Sequence, residues 1–146
     1  NSLAMIATAN REYTTANAYL AEALTIARQK HHWMLNQLLG NLADLQVRTG
    51  QLKSAQQTLT QARTALSAQY GRALQGPEAW RESVLDLVEG SLDLARNNPT
   101  RAQTKLLAAL NVLNLRFGNS GFFVSRAEYL LAQDYDALGL RTKANT

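Results

Sequence analysis

The sequence predicts an all-α protein built from long helices. Leu (25) and Ala (23) supply 48 of the 146 residues, whereas the β-branched apolar residues Val (5) and Ile (2) supply 7. Helices favour Ala and Leu while sheets favour β-branched residues, so this ratio argues against a β-rich fold. Two prolines and eight glycines also leave room for few chain breaks. We therefore expect about seven helices, paired into antiparallel hairpins.

Composition also limits the class of protein. The chain has no cysteine, which excludes a disulfide scaffold, a thiol nucleophile and a thiolate metal site. Its uncharged apolar stretches are far shorter than the roughly 18 residues of a membrane span, so we expect none. The first residues lack the basic start and long apolar core of a signal peptide. We expect a cytoplasmic protein.

A repeat of small residues organises the chain. Four alanines, which we call the anchors, each follow a turn-like segment: Ala16, Ala55, Ala102 and Ala144. Twelve residues before each anchor lies another small residue: Ala4, Ala43, Gly90 and Ala132. After the first three anchors, a leucine follows four residues later and an alanine seven residues later: Leu20 and Ala23, Leu59 and Ala62, Leu106 and Ala109.

This pattern indicates a stack of helical hairpins. Two antiparallel helices approach closely only where the facing side chains are small, and each repeat offers one small residue in its first helix and two in its second. We expect six of these residues to be buried at helix crossings: Ala43, Ala55, Ala62, Gly90, Ala102 and Ala109. Five residues before the anchors, Gly50, Asn97 and Gly139 suit left-handed helix ends, and Arg11 is the exception.

The small-residue pattern resembles the tetratricopeptide repeat family, whose motif has a small residue in helix A, a turn glycine, and two alanines flanking a large residue in helix B. Residues 42–66 and 90–110 carry the best matches. The anchors recur every 39 to 47 residues, which is longer than the period of about 34 residues typical of the family. This spacing is similar to the longer repeats of kinesin light chain and many bacterial signalling proteins. The resemblance implies a right-handed superhelical stack, an α-solenoid.

The predicted helices follow from these anchors and from turn residues. We place them at residues 2–9, 12–30, 33–49, 52–70, 77–96, 99–117 and 120–138, with a further helix starting in the tail. Pro77 and Pro99 suit first helical turns, Asn98 suits an N-cap, and Ser120 or Asn119 would cap the last helix. The connection GRALQGP (71–77) separates the second and third hairpins. We interpret residues 1–146 as one domain, with repeats at about 1–31, 33–70, 77–117 and 120–146.

Catalytic and cofactor signatures are missing from the sequence. It contains no phosphate-binding glycine loop, no dinucleotide fingerprint, no HExxH and no nucleophile elbow. His31 and His32 are adjacent, so on a regular helix they point about 100° apart and cannot share a metal. The acids Glu128, Asp134 and Asp136 lie six and two residues apart, which does not place a carboxylate pair on one helix face. We expect no enzyme, no cofactor and no metal site.

A net charge of +4 and a pI near 9.7 raise an alternative function. Arg101 and Lys105 share one helix face, and further arginines and lysines are scattered along the chain. They could contact nucleic acid, but acids are interspersed and no RNA-reading aromatic motif occurs. A nucleic-acid-binding helical-repeat module is therefore the alternative, and its binding would weaken steeply with salt.

The leading hypothesis is a protein-protein interaction module. In the resembled family, helices A line a concave groove that holds a peptide or a partner helix. Matched positions here are Asn41, Asp44 and Arg48, then Leu87, Ser91 and Leu94, then Tyr129, Gln133 and Asp136. Leu87 and Tyr129 replace basic positions of the carboxylate clamp found in co-chaperone members, so that clamp is not expected. Each trio could equally be solvent-facing or packed on a neighbouring helix.

Both ends of the chain fall inside a repeat. Because a repeat array needs polar capping helices, we expect a fragment of a larger protein or a homodimer that covers an uncapped end. A regulatory or scaffold segment of a multidomain bacterial signalling or transcription protein would fit this arrangement.

Overall fold

The computed structural model describes residues 4, 12–30 and 33–139, and within them it is all-helical. Six α-helices are present there: α1 (Tyr13–Gln29), α2 (Leu35–Arg48), α3 (Leu52–Tyr70), α4 (Trp80–Ala95), α5 (Pro99–Phe117) and α6 (Phe122–Ala137). A 3₁₀ helix (Gly71–Gln75) follows α3. The all-α prediction is confirmed, and the superhelical stack stays a prediction. The predicted tail helix, Arg11, His31 and His32 lie outside the described residues, as does the first predicted helix except for Ala4.

The helix bounds agree with the predictions best where glycine ends a helix. The structure begins and ends α3 and α5 at the predicted residues, and Gly71 and Gly118 follow them with positive φ. The predicted start of α4 is wrong, because the chain forms turns over residues 76–79 and the helix begins at Trp80, three residues after Pro77. The N-cap of α6 is Gly121, so the predictions of Ser120 and Asn119 are also wrong.

The N-cap of α5 is at the predicted place, although without the expected side-chain interaction. Asn98 holds the N-cap position and Pro99 the first turn, but the Asn98 side chain makes no capping hydrogen bond. The fixed φ of proline suits the first helical turn, and its missing N–H removes one donor that would have no partner there. Pro99 thus helps the helix to start without a side-chain cap.

The left-handed helix ends confirm the repeat register. Gly50, Asn97 and Gly139 have φ of 78°, 59° and 74°. They follow α2, α4 and α6 at the predicted places, each five residues before an anchor alanine. Glycine adopts this conformation without steric cost, and asparagine tolerates it better than most residues. When the anchors are aligned, α2, α4 and α6 can therefore be compared position by position.

The chain divides into two compact units, residues 1–71 and 72–146. In the first unit, α2 packs against α3 and α1 packs against α2. Its buried side chains are mostly Ala and Leu. A hydrogen bond links α2 to α3, because Asn36 Nδ2 donates to Gln69 Oε1 at 2.9 Å.

In the second unit, α4 packs against α5, and α6 packs against both. Their shared core contains residues from all three helices: Leu87, Ala102, Leu106, Ala109, Leu113, Val124, Ala127, Leu130 and Leu131. The six small residues predicted at helix crossings are all buried. At Gly90 the approach is close, because a Cβ there would lie 2.6 Å from Leu106 Cδ2.

Candidate partner-binding surface

The first predicted trio lies on α2, in the first unit. Asn41 and Asp44 are half-buried there, while Arg48 is exposed at the end of the helix. Arg48 Nε donates to Asp44 Oδ2 at 2.9 Å, one helical turn away. The pair neutralises both charges on the surface of α2. The other two trios lie in the second unit, so a groove shared by all nine residues stays a prediction.

The predicted lining role of Leu87 is wrong for the second unit as it is folded here. Its side chain is 3% exposed and belongs to the shared core with α5 and α6. Leu94 is half-buried and packs against the same core, and Ser91 is half-buried beside it. This face of α4 is covered by the next helices, and it is not open to a partner.

The third trio is exposed on α6. Tyr129 is 56% exposed, and Gln133 and Asp136 follow on the same helix face. Gln133 Nε2 donates to the Tyr129 hydroxyl at 3.2 Å, and the Arg126 guanidinium carbon lies 5.8 Å from the centre of the tyrosine ring. The tyrosine ring therefore contacts one side chain a turn before it and another a turn after it. These contacts already restrict its rotamers, so the side chain loses less conformational entropy when a partner binds.

Two further residues extend this face, and the sequence analysis missed them. Phe122 and Arg126 precede Tyr129 by seven and three residues, so they share its side of the helix. Phe122 is 66% exposed, although phenylalanine is usually buried. The helical spacing itself could have revealed both. We call the set Phe122, Arg126, Tyr129, Gln133 and Asp136 the α6 stripe.

The α6 stripe has a counterpart on α4. Aligning the anchor Ala144 with the anchor Ala102 matches the stripe positions, in order, with Trp80, Val84, Leu87, Ser91 and Leu94. Four of these α4 residues are apolar and pack into the core to which α6 contributes. The same face of the repeat is therefore covered on α4, and on α6 it presents large side chains to solvent.

Aromatic rings support the start of the stripe. Phe122 packs edge-on against Phe123 with ring centres 5.5 Å apart. Phe123 in turn contacts Phe117 at 6.0 Å and Trp80 at 6.4 Å, so rings from α4, α5 and α6 meet here. Such contacts contribute beyond simple burial and restrict ring orientation. They hold the first turn of α6 in place and leave Phe122 presented outward.

Two of the cations considered for nucleic-acid binding, Arg101 and Lys105, form ion pairs within the second unit. Lys105 Nζ lies 3.1 Å from Glu89 Oε1, and Arg101 lies 3.4 Å from both Glu89 Oε1 and Asp93 Oδ2. Burial raises the pKa of the Asp93 carboxyl despite the lowering effect of Arg101. These two cations thus face two acids, which makes this helix face a poor site for a phosphate backbone.

One buried carboxylate lies close to the stripe in sequence but is not part of it. Asp134 on α6 is fully buried, and neither carboxylate oxygen accepts a hydrogen bond from the residues that the structure describes. Burial raises the pKa of Asp134. It continues the buried face of α6 one turn beyond Leu130 and Leu131. Asp134 therefore faces the interior of the second unit, on a different side of α6 from the stripe.

Neither a metal-ion cluster nor a membrane-spanning helix occurs in the part of the chain that the structure describes. No group of three or more His, Asp or Glu side chains in residues 4, 12–30 and 33–139 could hold a metal ion. None of the helices in the same part of the chain has the length and apolar character needed to cross a bilayer. No protein-family model, curated protein or solved structure matched the chain.

Proposed function

We propose that the chain is a non-catalytic protein-protein interaction module and that the α6 stripe binds a partner helix or peptide. One observation carries the proposal. The equivalent face of α4 packs against the following helices, whereas the α6 stripe exposes Phe122 and Tyr129. A repeat face that receives a helix in one repeat has the shape to receive one in the next.

The composition of the stripe suits a reversible partner. Two aromatic side chains supply apolar area, and large aromatic residues commonly dominate binding energy. The remaining three positions are polar or charged, in contrast to the mostly apolar stripe on α4. These polar residues keep the stripe compatible with solvent when no partner is bound. As a scaffold segment in a signalling or transcription protein, the module would bind and release its partner.

The proposal can be tested by selecting helical peptides from a display library on the immobilised chain. We expect enriched peptides to carry apolar residues three and four positions apart, because these match one helix face. Phe122→Glu and Tyr129→Glu should each weaken the selected peptide by at least about tenfold in fluorescence anisotropy. Circular dichroism should show that both variants keep their helicity.

Leu115→Glu is the matched control, because Leu115 is 83% exposed on α5 and lies outside the stripe. It should leave peptide affinity unchanged. Affinity should also change by less than about threefold between low and moderate salt, since apolar burial is not screened. Equal enrichment on the wild type and on the Tyr129→Glu variant would contradict the proposal.

Nucleic-acid binding remains the alternative, and the same apparatus can test it. Arg101 and Lys105 already face Glu89 and Asp93, so we expect no tight complex with a labelled single-stranded RNA. Affinity that falls steeply as salt rises would favour the alternative, because each phosphate contact releases counterions.

A further inference from the structure

We propose that the helix bound by the α6 stripe is the α6 helix of a second copy of this chain, arranged antiparallel. This inference rests on the proposed function, since it names the occupant of the same surface. It starts from the charges on the stripe, which are one cation, Arg126, and one anion, Asp136. Asp136 is exposed and makes no ion pair within the described residues.

The order of side chains along the stripe is self-complementary. Arg126 and Asp136 lie five residues on either side of position 131, and Tyr129 and Gln133 lie two residues on either side of it. When two helices pair antiparallel about a two-fold axis at that position, Arg126 lies beside Asp136 of the other copy, and Tyr129 beside Gln133. Both ion pairs and both polar contacts then form at once.

A parallel pair would not have this property. It would place Arg126 beside Arg126 and Asp136 beside Asp136, and like charges in contact oppose association. The two ion pairs of the antiparallel dimer are also well separated along the helix. Positions 126 and 136 lie about 15 Å apart along the helix at 1.5 Å per residue, so the two ion pairs flank the tyrosine and glutamine contacts.

The surface predicts a weak dimer. One face of a helix this short is smaller than a standard protein interface, so we expect a dissociation constant on the order of 10 to 100 μM. Tyr129 becomes the central apolar contact, and the ion pairs at the two ends determine direction and register. This arrangement fits a module whose association depends on local concentration.

The experiment is charge reversal, with the full chain followed by sedimentation velocity over a wide range of concentration. Wild type should pass from monomer to dimer as concentration rises. Arg126→Asp and Asp136→Arg should each weaken the dimer by at least about tenfold, because each places like charges in contact. The double variant should recover affinity to within about threefold of wild type, since it rebuilds both pairs in reverse.

Glu128→Arg is the matched control, because it changes the net charge as much as Asp136→Arg but lies on a different side of α6. It should leave the dimer unchanged. Recovery in the double variant also excludes misfolding as the cause of the single-variant losses. A monomer at every concentration, a dimer insensitive to both single reversals, or a double variant that fails to recover would each overturn the antiparallel pairing.

The peptide selection separates this inference from the proposed function. If the chain stays monomeric yet still captures a selected peptide through Phe122 and Tyr129, the self-pairing fails and the interaction module stands. If the chain neither dimerises nor captures a peptide that depends on these two residues, both fail.

Discussion

The α2–α3 and α4–α5 hairpins share one repeat pattern but differ in how their helices are joined. When Ala55 is aligned with Ala102, both hairpins have a leucine four residues later and an alanine seven residues later, and Gly50 and Asn97 end the first helix at the same position. Four neighbouring positions differ in chemistry. The first hairpin has Leu42, Gln46, Ser54 and Thr58 there, and the second has Glu89, Asp93, Arg101 and Lys105. At these four positions the first hairpin has an apolar and three uncharged polar residues, whereas the second has an ion network.

This difference shows that the small-residue positions fix the geometry while the positions beside them are free to change chemistry. Both hairpins bury their small residues to the same extent. Yet the buried polar residues described in the first unit, Asn36 and Thr58, carry no charge, whereas the second unit buries Glu89, Asp93 and Asp134. The stability of the second unit should therefore change with pH, because burial raises the pKa of both Asp93 and Asp134. The chain also has one tryptophan in each unit, Trp33 and Trp80, which allows the units to be followed separately.

The largest expected effect concerns Asp134, which occupies the position held by Leu45 and Leu92 in the second and third repeats. Asp134→Leu should stabilise the second unit by about 2 to 3 kcal/mol at neutral pH, because it removes a buried carboxylate without a partner. Urea unfolding followed by Trp80 fluorescence in a Trp33→Phe background measures this. A loss of stability would mean that the carboxylate contributes favourably where it lies.

The pH dependence of that gain provides a second check. The folded pKa of Asp134 is raised, so the group binds a proton more readily when folded than when unfolded. The contribution of Asp134 to the stability of the fold is therefore most favourable below its unfolded pKa of about 3.9. It is lost as pH rises through the pKa of Asp134 in the folded protein. The stabilisation by Asp134→Leu should be larger at pH 7 than at pH 4. A gain independent of pH would show that ionisation is not the cause.

Overpacking at the shared small positions should have the next largest effect. Ala55→Leu and Ala102→Leu should each destabilise their own unit by about 1 to 3 kcal/mol, because both alanines are fully buried at helix crossings. Thermal melting by circular dichroism, with each tryptophan as a local reporter, measures the loss. If one variant melts like wild type, the two hairpins do not share a register.

The ion network of the second hairpin can be converted into the chemistry of the first. Arg101→Ser with Lys105→Thr should destabilise the second unit by about 1 to 2 kcal/mol, since it removes two cations that face Glu89 and Asp93. Adding Glu89→Leu and Asp93→Gln should recover that loss, because the removal of both partners leaves no uncompensated charge. If the variant with all four substitutions were no more stable than the variant with two, uncompensated charge would not be the cause of the loss. The ion network itself would then be needed for α4 to pair with α5.

The sequence predicted the helices well where local signals decide them and poorly where distant packing does. The bounds of α3 and α5 follow from residues next to the helix ends, such as Gly71, Gly118 and Pro99. The start of α4 did not follow from Pro77, because turns and a 3₁₀ helix occupy this connection. Leu87 was misplaced for a related reason. Its burial depends on α6, which follows only after the whole of α5, and the periodicity of a single helix cannot reveal which neighbour covers it.

The smallest expected effect is at Gly90, where two contributions oppose each other. Alanine favours a helix interior over glycine by about 1 kcal/mol, which alone would make Gly90→Ala stabilising. A Cβ there would lie 2.6 Å from Leu106 Cδ2 and 2.8 Å from Cγ, and Leu106 is fully buried, so the leucine would have to move. We expect a net destabilisation of about 1 kcal/mol, because overpacking outweighs the gain in propensity.

A double-mutant cycle isolates the contact. In a Leu106→Ala background the obstructing atoms are absent, so Gly90→Ala should become neutral or stabilising as helix propensity alone predicts. Ala43→Gly at the matching position of the first hairpin should destabilise the first unit by about 0.5 to 1 kcal/mol. Glycine lowers the helix propensity of α2, and the smaller residue relieves no steric clash there. If Gly90→Ala stabilises the protein even with Leu106 in place, α4 and α5 can separate at little cost. The close approach would then be a consequence of the glycine, and the glycine would not be required by the packing.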